Sequence, residues 1–206
     1  NNGSAGGAGF DIVVTKLNAS GTALIGSRRI GGGGSDGVNI SDTRGLNSLQ
    51  RNYGDDGRSE VILDAGGNVY VASSTQSADF PGTAGFFQST FGGGIQDGVV
   101  LKLTPDLSNI LFASYIGGSG NDAAYVLSIN PTNNNIYVAG GTESQNLLQG
   151  TQGGTLGTAN HGVIDGFVAI INNTGTAVLR STYIGTAGID QIFGVQFDAL
   201  GFPYIM

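Results

Sequence analysis

The chain carries one sequence pattern three times over, and this restricts it to architectures assembled from copies of a single unit. DIVVTKL at 11 to 17, DGVVLKL at 97 to 103 and DGFVAII at 165 to 171 each set an Asp before an apolar run. IGGGGSD at 30 to 36, IGGSGND at 116 to 122 and IGTAGID at 184 to 190 follow them. The distance from Asp11 to Asp36, from Asp97 to Asp122 and from Asp165 to Asp190 is 25 residues each time, a register that unrelated loops would not share. A third motif closes each unit: LDAGGNVYVA from Leu63, INPTNNNIYVAG from Ile129 and FDALGFPYIM from Phe197. Tyr137 and Tyr204 lie 15 and 14 residues after Asp122 and Asp190, but Tyr70 lies 34 after Asp36, so the first unit holds an insertion at about 37–56. One segment, 1–206, thus contains units at about 11–72, 97–142 and 165–206.

Each unit offers four short runs of β type, in the second VVLKL, ILFASYIG, AAYVLSI and NIYVAGG, separated by Gly, Asn, Asp, Ser and Pro clusters that signal antiparallel hairpins. Alternation puts Val99, Leu101 and Leu103 on one face and Val100 and Lys102 on the other. Glycine, 38 of 206 residues, has no collagen-like period, which assigns many glycines to turns. The expected fold is all-β: three four-stranded antiparallel sheets stacked as β-propeller blades. Rings of this kind take about four to eight blades, so three units predict part of a larger propeller, or a partial ring with further blades from the same or another chain.

Composition narrows the chemistry. A net charge of -7 opposes binding to nucleic acid. No apolar run reaches the roughly 18 residues of a membrane-spanning helix, so no membrane insertion is expected. With no cysteine, thiolate catalysis and Cys-ligated metals are excluded. The single histidine, His161 in TANHGVIDG, has no evident triad partner and reads as a loop residue.

With the repeat in view, SSTQSADFPGTAGFFQSTFGGGIQDGVVLKLTPDLSNILFASYIGGSGNDAAY resembles the bacterial seven-bladed β-propeller (SBBP) repeat. The pieces that carry the resemblance are DFPGTAGFFQ at 79 to 88, DGVVLKL, SYIGGSGND at 114 to 122, and the paired GGNVYVA and NNIYVAG. Arg28 and Arg29 replace the usual aromatic approach to IGG, and the third unit carries the weaker IGTAGID. The resemblance implies a secreted or cell-surface propeller in large bacterial proteins, frequently of the Bacteroidota, where such repeats accompany adhesion modules. It brings no catalytic residues with it.

Three candidate sites stand out. GGGGSDGVN at 31 to 39 fits the nonapeptide of calcium-binding β-rolls, which makes Asp36, Asp122 and Asp190 candidate calcium ligands. The bland reading is a tight turn in which glycine accepts positive φ and the Asp bonds its own backbone. Carboxylate pairs for glycoside cleavage are disfavoured, because catalytic pairs are single asymmetric constellations and these acids recur. Arg44, Arg51 and Arg58 in and beside the insertion form a basic zone in an acidic domain, candidates for binding a protein or glycan partner. Their alternative is pairing with Asp42, Asp55 and Asp56. Tyr70, Tyr137 and Tyr204, in one strand register, are expected in blade packing, and Phe80, Phe86 and Phe87 are expected to pin the long DFPGTAGFFQ connection. The function expected is a non-enzymatic extracellular or cell-surface scaffold or adhesin part without a cofactor. The alternative is a carbohydrate-binding or carbohydrate-cleaving propeller with its site in the central funnel.

Overall fold

Alternating side chains in the VYVAS and GVVLKL runs need two apolar surfaces to cover them, and the fold supplies both. A computed structural model describes residues 9–40, 49, 57–82, 85–147 and 157–206. Within them lie β1 (Ile12–Leu17), β2 (Leu24–Ile30), β3 (Glu60–Leu63), β4 (Val69–Thr75), β5 (Asp97–Leu103) and β6 (Ile110–Ile116). They are followed by β7 (Asp122–Ile129), β8 (Ile136–Thr142), β9 (Asp165–Ile171), β10 (Val178–Ile184), β11 (Val195–Phe197) and β12 (Pro203–Ile205). The protein is all-β, with two four-stranded antiparallel sheets, β3-β4-β5-β6 and β7-β8-β9-β10, and two strand pairs, β1-β2 and β11-β12.

This arrangement corrects the expected three four-stranded sheets in number and in where the sheets are cut. Residues 97–142 do not make one sheet: β5 and β6 complete the sheet begun by β3 and β4, while β7 and β8 begin the next. The cause is local. The linkers 64–68 and 104–109 are hairpin turns, whereas GGSGN at 117–121 carries the chain out of one sheet and into the next. Each sheet therefore joins the last two strands of one repeat unit to the first two of the following unit.

In β4, Tyr70 and Ala72 face one core with Val100, Phe112, Ala124, Val138 and Phe167, while Val69 and Val71 face another with Val99, Leu101, Ile12 and Ile30. A third core joins Tyr125, Ala139 and Val168 to Ile192 and Val195. Sheet is thus laid on sheet through both faces, and each buried Val, Leu or Phe contributes about 1.5–3 kcal/mol. Two glycine-type positions explain the sequence of the third motif. Gly67, Asn134 and Gly201 occupy one equivalent turn position at φ 79°, 60° and 84°, which Gly and Asn tolerate best. Gly140 sits where a Cβ would overlap the Ala123 carbonyl oxygen, hence a glycine in the middle of a buried strand.

The long connection after β4 is held as its aromatics suggest. Phe80 meets Tyr115 edge-on at 6.1 Å, Phe86 stacks on Phe112 at 5.5 Å, and the Phe87 N–H donates to the Gly175 carbonyl (3.1 Å). Tyr70 is fully buried and Tyr137 meets Phe197 edge-on at 4.7 Å. Tyr204 departs from the expected packing and is 64% exposed, because its strand pair has no further strands beside it among the described residues.

Candidate functional site: the glycine and carboxylate corners

A carboxylate buried at a strand start must gather donors, and these corners gather the same ones twice. Asp122 opens β7, and its Oδ2 accepts from the Gly118 N–H (2.7 Å) and the Ser144 hydroxyl (2.7 Å) while its Oδ1 accepts from the Thr142 hydroxyl. Asp36 repeats this with Gly32 N–H (2.8 Å), the Ser77 hydroxyl (2.9 Å) and the Thr75 hydroxyl. Both side chains are buried. The donors come from TQS at 75–77 and TES at 142–144, at and just beyond the ends of β4 and β8. Each corner is thereby stitched to the far end of the hairpin it opens. Desolvation by burial pushes Asp122 up to about 6 and also raises Asp36, against the hydrogen bonds that lower them.

The first acid of each unit stands beside the second. A Cβ on Gly117 would run into Asp97 Oδ1 and lie 3.0 Å from Asp122 Oδ2; at Gly31 it would meet Asp11 Oδ1 and, at 2.7 Å, Asp36 Oδ2. Only glycine lets the backbone pass between the two carboxylates. Asp97 is fully buried, its Oδ2 accepts from the Gly92 N–H (2.6 Å), and its Oδ1 has no partner. Asp11 Oδ1 is in the same condition, while its Oδ2 faces Arg29 Nε at 3.3 Å. Desolvation, with the Asp122 charge adding to it, pushes Asp97 up to about 7. In the third unit, Asp165 accepts from the His161 and Gly162 backbone N–H groups instead.

Of the candidate calcium ligands, Asp36 and Asp122 thus lie in separate, equivalent cages. Asp190 is the incomplete case: partly exposed, its carboxylate accepts among the described residues from the Thr186 N–H (2.7 Å) and hydroxyl (2.9 Å) only. Among the described residues no three His, Asp or Glu side chains gather where they would hold a metal ion. Both caged carboxylates face N–H and O–H donors, whose positive ends occupy the directions a cation would need. Calcium at about 5 mM is therefore expected to shift the melting temperature by less than about 1 °C. A rise of several degrees in differential scanning fluorimetry would restore the ion to these corners.

Arg58 is the one candidate partner-binding residue within the described residues; Arg44 and Arg51 lie outside them. Its Nη2 donates to the Phe193 carbonyl (2.8 Å) and its guanidinium lies 4.9 Å from the centre of the Phe193 ring, which stacks on Tyr125 at 5.2 Å. Together with Ser59 and Glu60 these residues line a cleft of about 260 Å³ at the start of β3. The described part of the insertion is anchored: Ile40 and Leu49 are buried, and Leu49 joins the core around Tyr125. Arg28 and Arg29 serve the fold, Arg28 donating to the Ser108 carbonyl (2.6 Å) and Arg29 facing Asp11.

Sequence reasoning missed the Thr-x-Ser partners of Asp36 and Asp122. Their signal was present as TQS and TES at the same offset from the VYVAS and IYVAG strands. It also missed Phe193, for which the repeat offers no signal. No family model matches the chain, and no curated protein matches it.

Proposed function

We propose that this chain is a β-propeller segment acting as a non-enzymatic scaffold or adhesin part of a secreted or cell-surface bacterial protein. The observation that carries the reading is how the repeated polar residues are used. Of the recurring acids, the ones a repeated active site would draw on, Asp36 and Asp122 are occupied in tying the glycine turns to the strand ends. Two sheets packed through both faces, with β3, β7 and β11 opening three successive hairpins, agree with blades in sequence. The resemblance to SBBP repeats supplies the location, since those repeats belong to exported bacterial proteins.

One observation favours a second reading. The cleft at Arg58, Glu60, Tyr125 and Phe193 combines a cation, a carboxylate and aromatic walls, with Gln191 Nε2 buried beside Tyr125 and without a partner among the described residues. It suits an acidic sugar. Two measurements separate the readings. Protease added to intact producing cells should remove the chain, and protection equal to that of a cytosolic marker would overturn the surface assignment. On a glycan array the first reading expects no specific signal, binding lost in Arg58→Ala supports the second, and sugar release from a polysaccharide would demand an enzyme.

A further inference from the structure

A lysine recurs at one strand position, and both copies reach into the same turn of the following unit. Lys16 and Lys102 each stand five residues after the first acid of their unit, where the third unit has Ile170. Lys16 Nζ donates to the Pro105 carbonyl (2.9 Å) in the β5-β6 turn, while Lys102 Nζ donates to the side-chain Oδ1 of Asn173 (3.0 Å) in the β9-β10 turn. Pro105 and Asn173 are equivalent, eight residues after Asp97 and Asp165. The first lysine therefore meets an inert backbone carbonyl, and the second meets a carboxamide whose nitrogen is a leaving group.

A carboxylate and a phenol complete the second arrangement. Asp64 Oδ2 lies 3.8 Å from Lys102 Nζ and accepts from the Tyr70 hydroxyl (3.2 Å), and that hydroxyl accepts from Asn173 Nδ2 (3.1 Å). Amine, carboxylate, phenol and amide thus close a ring in which each group faces the next. The Lys102 ammonium also lies 4.7 Å from the centre of the Tyr70 ring. The Lys102 side chain is 12% exposed, that of Asp64 20%, and Tyr70 is fully buried, so bulk water has little access to the ring of groups.

We propose that Lys102 and Asn173 become joined by an isopeptide bond, which the protein forms on itself with Asp64 and Tyr70 carrying the protons. Lys102 belongs to β5 and Asn173 to the turn after β9, so the bond locks one four-stranded sheet to the other. The inference needs only the packing of these two sheets, not their place in a ring.

The partners are held where the reaction needs them. The Asn173 carbon lies one C=O bond, about 1.2 Å, beyond the oxygen that Lys102 already touches. Its turn is fixed separately: Asn172 Oδ1 accepts from the Thr176 and Ala177 N–H groups (2.9 and 3.1 Å), and Asn173 Nδ2 also donates to the Asn134 carbonyl (2.8 Å). Such positioning makes the attack of a weak nucleophile on a weak electrophile effectively unimolecular. Burial works to raise the Asp64 pKa, but hydrogen bonds from Asn68, Tyr70 and Gly66 outweigh it, so the carboxylate stands ionised and open to a proton.

The Lys102 ammonium gives a proton to Asp64, and the freed lone pair on Nζ attacks Asn173 Cγ. Protonated Asp64 passes that proton to the Tyr70 oxygen as Tyr70 gives its own to Nδ2. The Cγ–Nδ2 bond then breaks with its electron pair on nitrogen, and ammonia leaves. A second proton, lost from Nζ after attack, follows the same path and converts ammonia to ammonium. One C–N bond replaces another, the charge is conserved, and no oxidant or cofactor is required.

Intact-mass spectrometry of the purified 206-residue chain tests this, because release of ammonia leaves the chain about 17 Da lighter than its sequence. The digest should contain a branched peptide that carries both Lys102 and Asn173, with no tryptic cleavage after Lys102. Lys102→Arg keeps the positive charge and Asn173→Ala removes the carboxamide; each should restore the full mass in a chain whose circular dichroism is unchanged. Asp64→Asn still accepts from the Gly66 and Asn68 amides, and followed after cell-free synthesis it should slow the mass loss by about a hundredfold or more. Wild type still at full mass after a week at pH 7 would overturn the inference. So would a loss that persists in Lys102→Arg, which would come from ring closure at another Asn, or a rate unchanged in Asp64→Asn.

Discussion

Asp122→Ala is expected to cost about 3 kcal/mol or more of unfolding free energy, and Asp36→Ala about as much, while Asp190→Ala costs under about 1 kcal/mol. The three acids are equivalent in sequence, so the difference comes wholly from what surrounds them. Removing the Asp122 carboxylate leaves the Gly118 N–H and the Thr142 and Ser144 hydroxyls without their acceptor inside a buried corner. Each buried donor left unmatched costs about 1–3 kcal/mol, and the hydroxyls recover part of that by rotating while the amide does not. Asp190 is partly exposed, and its carboxylate is bonded among the described residues only to Thr186 in its own turn, so water can replace it. Urea unfolding of the three variants at pH 7 measures this directly. Equal losses at all three positions would mean that the corners do no more than reverse the chain.

How much of this was legible follows from what repetition does and does not encode. Strand type, hairpin turns and the recurrence of the corner motif were readable because alternation and turn chemistry are local: VVLKL and NIYVAGG carry them within a few residues. The cut between sheets was not. A repeat has no intrinsic start, and a boundary before β5 or before β7 gives the same periodicity. What decides is that GGSGN wraps around Asp97 and Asp122 instead of closing a hairpin, a fact set by Gly117 passing between two carboxylates. Asp36 and Asp122 were singled out from composition alone. The residues suit an ion in composition, but the Thr-x-Ser donors that saturate them arrive 20 residues later in one unit and about 40 in the other, beyond a local reading. Arg58 was found through charge, whereas Phe193, which holds it, belongs to no repeated pattern.

The adjacent acids also set an unusual response to pH, with stability expected to fall as pH rises from about 4 to about 7. Asp97, at about 7 in the folded protein against 3.8 when unfolded, keeps its proton through a window in which the unfolded chain has released it. The folded state then binds more protons than the unfolded state, so unfolding free energy decreases with pH across that window and levels off above it. Three pK units at 1.36 kcal/mol each bound the Asp97 contribution at about 4 kcal/mol. Asp122 acts in the same direction up to about pH 6, and the two share rather than add their effects because the Asp122 charge raises the cost of ionising Asp97. Acid brings an opposing loss: Asp106, held down at about 2 by the Thr104 and Ser108 hydroxyls, keeps its charge in the fold and gives up its share below about pH 4. Maximum stability is therefore expected near pH 4 to 5, on the acid side of neutrality. Asp97→Asn supplies a neutral group of the same shape, whose oxygen still accepts from Gly92 and whose amide turns a donor toward Asp122 in place of the unmatched Oδ1. It should flatten the profile between pH 5 and 7 and raise stability at pH 8 by at least about 1 kcal/mol. Urea midpoints at half-unit steps of pH decide the matter, and a wild-type profile that rises from pH 4 to 7 would show that both acids are ionised in the fold and held there by partners other than these.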